Sequence, residues 1–331
     1  MSETKKINII QAVNEAIAEA MEADPKVLVL GEDVADKEGG GVVGVTRGLS
    51  TRFGDDRVRS TPIAEQAIMG AAIGASIAGY KPVAEIMLMN FTTVAMDMIV
   101  NHAAKLRFMS GGQTNVPIVI RMMTGAGISS AGQHSDFLEA WFCHTPGIKV
   151  VAPSNPEDAK GLMLSAIQDP DPVMFIECSR AYGTTAPVPV DLKPIPLGKA
   201  KVVREGSDVT IVSYSEILVR SLKAAEALEA EGVSAEVIDL RTINPWDRET
   251  VFASVRKTGR LVVAHEAVKQ FGVGAEIAAT VQEELFPSLK GAIRRVGAPF
   301  TSVPFSQALE QAFIVSVDQI ADAARATLKT G

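Results

Sequence analysis

The chain has 331 residues, of which 47% are hydrophobic and 21% charged, a balance that excludes intrinsic disorder. Its 32 basic and 39 acidic side chains leave a net charge of −7 with no basic run, which argues against nucleic acid or an anionic membrane as partner. No apolar stretch approaches the roughly 18–20 residues that span a bilayer. The polar start, Met1–Lys6, has no signal-peptide core behind it, and only Cys143 and Cys178 are present, so reduced thiols in a cytoplasmic protein are expected.

Short apolar strands alternate with amphipathic helices, the pattern of parallel α/β layers. Strands are expected over 27–30, 83–87, 118–121, 150–152 and 173–176, with helices over 11–21, 64–78, 92–108 and 156–168 between them. Residues 183–199 carry Pro187, Pro189, Pro194 and Pro196, which neither a helix nor a central strand tolerates. A second α/β unit follows, with strands over 209–213, 235–239, 261–264 and 293–296 and helices over 217–231, 273–285, 307–312 and 317–328. The expected division is a first domain over 1–185, a Pro-rich linker over 186–200 and a second domain over 201–331.

Thr61-Pro62-Ile63-Ala64-Glu65 runs into a helix built almost wholly from Ala, Gly, Ile and Met. Thr61 reads as its cap and Pro62 as its first helical position. Glu65 then lies one residue too far along for a capping box. Gly70 and Gly74, flanked by Ala67, Ala71, Ala75 and Ala78, form a small-residue face that another backbone can approach closely. Two readings of Glu65 stand at this point. It is an acid favouring the helix dipole, worth about 0.3–1 kcal/mol, or a carboxylate beside a tight apolar contact, placed for proton chemistry.

Glu32, in Leu30-Gly31-Glu32-Asp33, sits at the C-terminal tip of a parallel strand, the edge where open α/β sheets place their sites. Phe91, beside the strand that ends at Met87, reads by position as a core aromatic. His134 lies in a glycine- and serine-rich loop, 125–136, that follows a strand, a setting typical of function. His102 and His144 read as structural or interfacial, and His265 as a strand-tip residue of the second domain.

The spacing of Glu65, Gly70 and Gly74 resembles the pyrimidine-side motif of thiamin-diphosphate enzymes. Together with Arg57-Val58-Arg59-Ser60 before it, Asn101-His102-Ala103-Ala104-Lys105, Met109-Ser110-Gly111-Gly112 and Gln133-His134-Ser135, it looks like the beta subunit of the decarboxylating component of 2-oxo acid dehydrogenase complexes. That family includes the pyruvate, branched-chain and acetoin enzymes. The resemblance runs from about Ile9 to Ala326, and Asp239-Leu240-Arg241-Thr242-Ile243-Asn244-Pro245 is similar to the C-terminal domain shared with transketolases.

The resemblance implies an α/β fold of two domains, a pyrimidine-type thiamin-diphosphate domain followed by a transketolase C-terminal-like one. It makes Glu65 the carboxylate that hydrogen-bonds the aminopyrimidine, Phe91 the ring that stacks on it, Ile63 and Met87 its packing, and Glu32 a neighbour of the cofactor. His134 would assist acyl transfer to a lipoyl arm; the family usually has Gln where this chain has Asp136. Ile118, Ala166, Ile167, Asp169 and Asp171 fall where the family holds a structural potassium ion, although Asp169-Pro170-Asp171-Pro172 otherwise reads as a turn.

No Gly-Asp-Gly occurs, and Phe53-Gly54-Asp55-Asp56 is no substitute, so the diphosphate half of the site is missing. The implied partner is an alpha subunit that carries it with magnesium. The implied assembly has two alpha and two beta chains docked on a lipoyl-bearing acyltransferase core. Gly40–Leu49 looks rather like acetoin dehydrogenase beta subunits, the alternative substrate class.

Other readings are a non-catalytic scaffold subunit and the C-terminal half of a split transketolase. A nicotinamide-binding fold would need Gly-x-Gly-x-x-Gly, which neither Gly125-Ala126-Gly127 nor Gly272-Val273-Gly274 completes. No Gly-x-Ser-x-Gly marks a serine hydrolase.

Overall fold

Asn8 ends β1 (Thr4–Asn8) and opens α1 (Ile9–Ala23) with a capping box: its side chain accepts from the Gln11 N–H while the Gln11 side chain accepts from the Asn8 N–H. In the computed structural model, which describes residues 3–329, the chain continues through β2 (Val27–Gly31), α2 (Leu49–Phe53), β3 (Val58–Ser60), α3 (Glu65–Ile77), β4 (Lys81–Leu88) and α4 (Leu106–Met109). Next come β5 (Val119–Thr124), α5 (Gly132–Ser135), α6 (Glu139–Cys143), β6 (Lys149–Val151), α7 (Pro156–Gln168), β7 (Val173–Cys178) and β8 (Thr185–Pro189). The second half begins with β9 (Lys201–Arg204), β10 (Val209–Ser213), α8 (Ile217–Glu229), β11 (Ala235–Asp239), β12 (Thr242–Asn244) and α9 (Arg248–Thr258). It ends with β13 (Leu261–Val268), α10 (Val273–Leu285), β14 (Arg294–Ala298), α11 (Gln307–Phe313) and α12 (Val317–Leu328).

These elements form two units, Met1–Thr124 with Trp141–Leu197, and Gly125–Ala140 with Gly198–Gly331. In the first, parallel strands follow the order β6-β7-β5-β4-β2-β3. Every residue of β5 and β7 is buried, as a strand covered on both faces requires. Helix α7 starts on Asn155, which caps Asp158, with Pro156 at the first turn, and packs on α1. Part of the Pro-rich segment pairs antiparallel with β1 as β8, an isolated two-stranded ribbon whose Pro187 and Pro189 do not interrupt a central sheet.

In the second unit β14-β13-β10-β11 are parallel and β9 closes the edge antiparallel to β11. Ile211, Val237 and Val262 of the strands pack with Ile217, Leu228, Ile320 and Ala324 of α8 and α12. Helix α9, absent from the expected elements, is capped by Asp247 and stopped by Gly259 in the left-handed region. No helix among the described residues is long and apolar enough to cross a membrane.

The helix expected over 92–108 is broken. A 3-10 turn covers Met89–Thr93 and a π turn Met98–Ala103, before α4. β-branched Thr92, Thr93, Val94 and Val100 weaken helix here, and Gly147 presses so closely on the Ala104 carbonyl that no side chain would fit.

Candidate active site

Gly31 ends β2 against β4 so tightly that an added Cβ would sit 2.8 Å from the Glu85 carbonyl. The chain therefore turns out of the sheet at Glu32. The Gly31 carbonyl accepts the Thr61 N–H at 2.9 Å, which continues the contact beyond β3 and keeps Thr61 out of the helix. This corrects the capping expectation: Thr61 is tied to the sheet, Ala64 is the cap residue without a side-chain bond, and α3 begins at Glu65 itself.

Glu65, an acid at a helix mouth, is buried. Glu32 is buried as well and takes a backbone hydrogen bond from Ala64, while its Oε1 has no partner among the described residues. Burial raises the Glu32 pKa, and the charges of Glu65, Asp33 and Glu85 raise it further. Two buried acids thus lie within each other's electrostatic reach, and one has an oxygen without a hydrogen-bond partner among the described residues. The Thr61 hydroxyl is also buried without a partner among the described residues. Such orphaned groups call for a polar ligand.

Met87 and Phe91 are half-buried, Met87 near the end of β4 and Phe91 in the turn just past it. Ile63 is 85% exposed, an apolar side chain left in solvent at the same segment as Glu65. On α3 the small-residue face is open: Ala67, Ala71, Gly74 and Ala78 are exposed, Gly74 meets nothing within 4 Å, and Gly70 meets only the Met98 sulfur at 3.7 Å.

Behind this edge, Arg121 of β5 is buried between Glu85 and Glu177, and the Tyr182 hydroxyl donates to Glu177 at 2.9 Å. A buried arginine needs this many partners. The glycine-rich segment from Gly39 to Gly48 folds beside it, with a Cβ at Gly41 falling 3.2 Å from Glu85 Oε1.

His134 is exposed on α5, a single turn in the second unit. Its loop uses φ 108° and 117° at Gly125 and Gly127, and places Ser129 and Ala131 at φ 56° and 59°. Those conformations explain the glycines without a nucleotide. Glu266 accepts the Ala126 N–H at 2.9 Å, and Glu310 accepts from Gly127 and Ser129.

Beside the loop, buried Glu139 accepts a 2.7 Å bond from the Tyr214 hydroxyl, and burial pushes its pKa up to about 8. His265 is buried parallel to the Tyr214 ring and lowered to about 4 by desolvation. It lies inside β13 rather than at a strand tip, because that strand runs on to Val268. A Cβ on Gly272, Gly274 or Gly297 would come within 2.9 Å of its ring, so the Gly272-Val273-Gly274 run is a packing device.

Among the five residues expected around potassium, the Ile118 carbonyl accepts from Val173 and the Ala166 carbonyl from Asp169. Asp169 binds Lys149 at 2.7 Å and Asp171 binds Arg107 at 2.7 Å. No group of three or more His, Cys, Asp or Glu suited to a metal occurs among the described residues. Cys178 is buried and Cys143 half-buried, and neither is in a disulfide. His102 and His144 are exposed.

Glu32 and Glu65 were both named from the sequence, whereas Glu310, Glu139 and Tyr214 were not, since their partners are distant in the chain. Only Glu266, directly after His265 in a strand, carried a local signal, a charged residue in an apolar run.

A parallel-sheet unit followed by a second α/β unit is the two-part order in which transketolase-type family models match this chain. Residues 5–184 match the family described as transketolase, pyrimidine binding domain, and residues 198–320 that described as transketolase, C-terminal domain. A chain described as a split gene transketolase, inactive beta4 tetramer, superposes with a TM-score of 0.80 at 25% identity, covering 98% of this chain and 99% of that one.

The chain is 48% identical over 335 residues to the acetoin:2,6-dichlorophenolindophenol oxidoreductase subunit beta of Cupriavidus necator, covering 99% of both. It is 46% identical over 327 residues to the mitochondrial pyruvate dehydrogenase E1 component subunit beta-1 of Arabidopsis thaliana, covering 98% of this chain and 89% of the relative. With the Staphylococcus epidermidis pyruvate dehydrogenase E1 component subunit beta the identity is 44%, covering 98% and 99%. The chain belongs to this family of dehydrogenase E1 beta subunits.

Proposed function

We propose that this chain supplies the pyrimidine half of a thiamin-diphosphate site, as the beta subunit of a dehydrogenase that decarboxylates a 2-oxo acid and passes the acyl group to a lipoyl arm. The observation that carries the reading is the buried Glu32–Glu65 pair with an unsatisfied oxygen at the sheet edge. An alpha subunit completes the site with magnesium and the diphosphate contacts. Exposed Ile63 and the open small-residue face of α3 suit a partner packed closely there.

Bound thiamin diphosphate would supply the nucleophilic carbon that adds to the substrate carbonyl. Glu65 holds a proton at the pyrimidine ring nitrogen. Glu32 orients Ala64 at the start of the Glu65 helix. Phe91, Met87 and Ile63 shield the ring from water. His134 moves a proton as the acyl group leaves for the lipoyl sulfur. In this reading the enzyme has two alpha and two beta chains in a reducing compartment, which suits cysteines outside any disulfide.

The carbonyls of Ile118 and Ala166 each keep a second lone pair for a potassium ion, with Ile167 and the Asp169–Asp171 turn beside them. An ion there would have to share Asp169 and Asp171 with Lys149 and Arg107. Acetoin is a second substrate reading, favoured by the 48% identity to the Cupriavidus necator subunit and by Gly40–Leu49.

Co-expression with the alpha subunit and assay of pyruvate, branched-chain 2-oxo acids and acetoin tests the proposal. Glu65→Gln keeps the shape and removes the proton-sharing group. It should lower turnover by about 10²-fold or more while leaving assembly intact. Normal turnover would refute the role given to Glu65.

A further inference from the structure

The loop that carries His134 is held in a costly conformation. Ser129 and Ala131 are non-glycine residues in the left-handed region, and backbone of that kind persists only where its surroundings fix it. The fixing group is Glu310, in the first turn of α11 and fully buried. Its Oε1 accepts the Gly127 N–H at 2.6 Å, and its Oε2 accepts the Ser129 N–H at 3.0 Å, with the Ser129 hydroxyl 3.5 Å away.

Converging backbone N–H groups of this kind form the concavities that bind anions in other proteins. Here the anion is internal. Bonds from N–H groups to an ionised carboxylate are roughly twice as strong as neutral ones. Glu266 pins the loop one residue upstream at Ala126. Downstream, Gly132 opens α5 with a Cβ position only 3.3 Å from Ser302 Cβ, and Ser135 is buried. The backbone is thus held on the N-terminal side of His134, the next residue is buried, and His134 itself faces solvent.

We propose that Glu310 is a positioning residue, acting through the His134 loop to set the rate of acyl transfer rather than of decarboxylation. This rests on the acyl-transfer role proposed for His134. Gln at 310 has one acceptor oxygen where two are used, so it leaves a loop N–H facing an amide N–H. Asp keeps the charge and is shorter by one methylene.

The test uses the alpha–beta assembly with a lipoyl-bearing domain. Three quantities are measured for Glu310→Gln, Glu310→Asp and His134→Ala: 2-oxo acid turnover with an artificial electron acceptor, acylation of the lipoyl domain, and hydrogen exchange of loop amides. Glu310→Gln should speed exchange at Gly127 and Ser129 and cut acylation by about tenfold or more, since small misplacements are that costly. Turnover with the artificial acceptor should stay within about twofold, Glu310→Asp should recover part of the acylation, and Glu310→Gln should cost nothing further in the His134→Ala background.

Unchanged loop exchange, or equal loss of both activities, would overturn the proposal. Full acylation by His134→Ala would end the role of His134 separately, and an undiminished acylation by Glu310→Gln would then end this one too.

Discussion

Glu32 takes the backbone N–H of Ala64, the cap residue of the very helix that starts with Glu65. One acid thereby fixes the backbone that presents the other. Each lies in the other's field, and neither is exposed. This arrangement is costly unless something else uses it, which is the physical ground for reading it as a site.

Glu32→Gln should therefore stabilise the chain while harming the enzyme. The Glu32 pKa is raised in the folded state, so the stability it contributes is full below its ordinary value of 4.5 and is lost as pH rises through the folded value. The Gln variant should melt higher than the parent at pH 8 and equally at pH 4. Reconstituted turnover should fall about tenfold or more. A lower melting point at pH 8 would show that the charge is needed for folding.

Glu139 gives a second pH dependence, in the other unit. Its pKa of about 8 against an ordinary 4.5 means that its contribution is present below pH 4.5 and disappears between there and about 8. His265 acts on the acid side. Lowered from 6.5 to about 4, it keeps its contribution above pH 6.5 and loses it as pH falls toward 4. Glu139→Gln should keep the Tyr214 bond and flatten the alkaline limb, raising the melting temperature at pH 9 by a few degrees, roughly the shift about 1 kcal/mol gives. Equal alkaline limbs in parent and variant would place the titration elsewhere.

Gly274→Ala should cost about 1–3 kcal/mol in denaturant unfolding, because the new Cβ falls 2.9 Å from His265 Nε2 in a fully buried position. Gly183→Ala, where nothing lies within 4 Å, serves as the control and should be near neutral. A harmless Gly274→Ala would return that glycine to the ligand-binding readings.

Elements with their own start and stop signals were legible in the sequence. Helices α7, α10 and α12 fall where the alternation of strands and amphipathic helices put them. Helix α9 carried the same signals, Asp247 before it and Gly259 after, yet its charged Arg248-Glu249 and Arg256-Lys257 ends hid the apolar stripe. Thr61 looked like a cap because Pro62 follows it, but a bond to Gly31 in another strand decides its geometry. The loop of His134 was visible as glycines and serines. Its anchors were not, for Glu310 lies 183 residues from Gly127 and Tyr214 lies 75 from Glu139. Long-range pairing of buried acids leaves no local pattern.

The half-site itself is the central claim, and calorimetric titration of thiamin diphosphate with magnesium tests it most directly. The chain should be titrated alone and again as the purified complex with its alpha subunit. Tight binding only in the complex, lost or much weakened by Glu65→Gln, is the expected result. Tight magnesium-dependent binding to the chain alone would contradict the shared site, and no binding in either state would contradict the thiamin reading altogether.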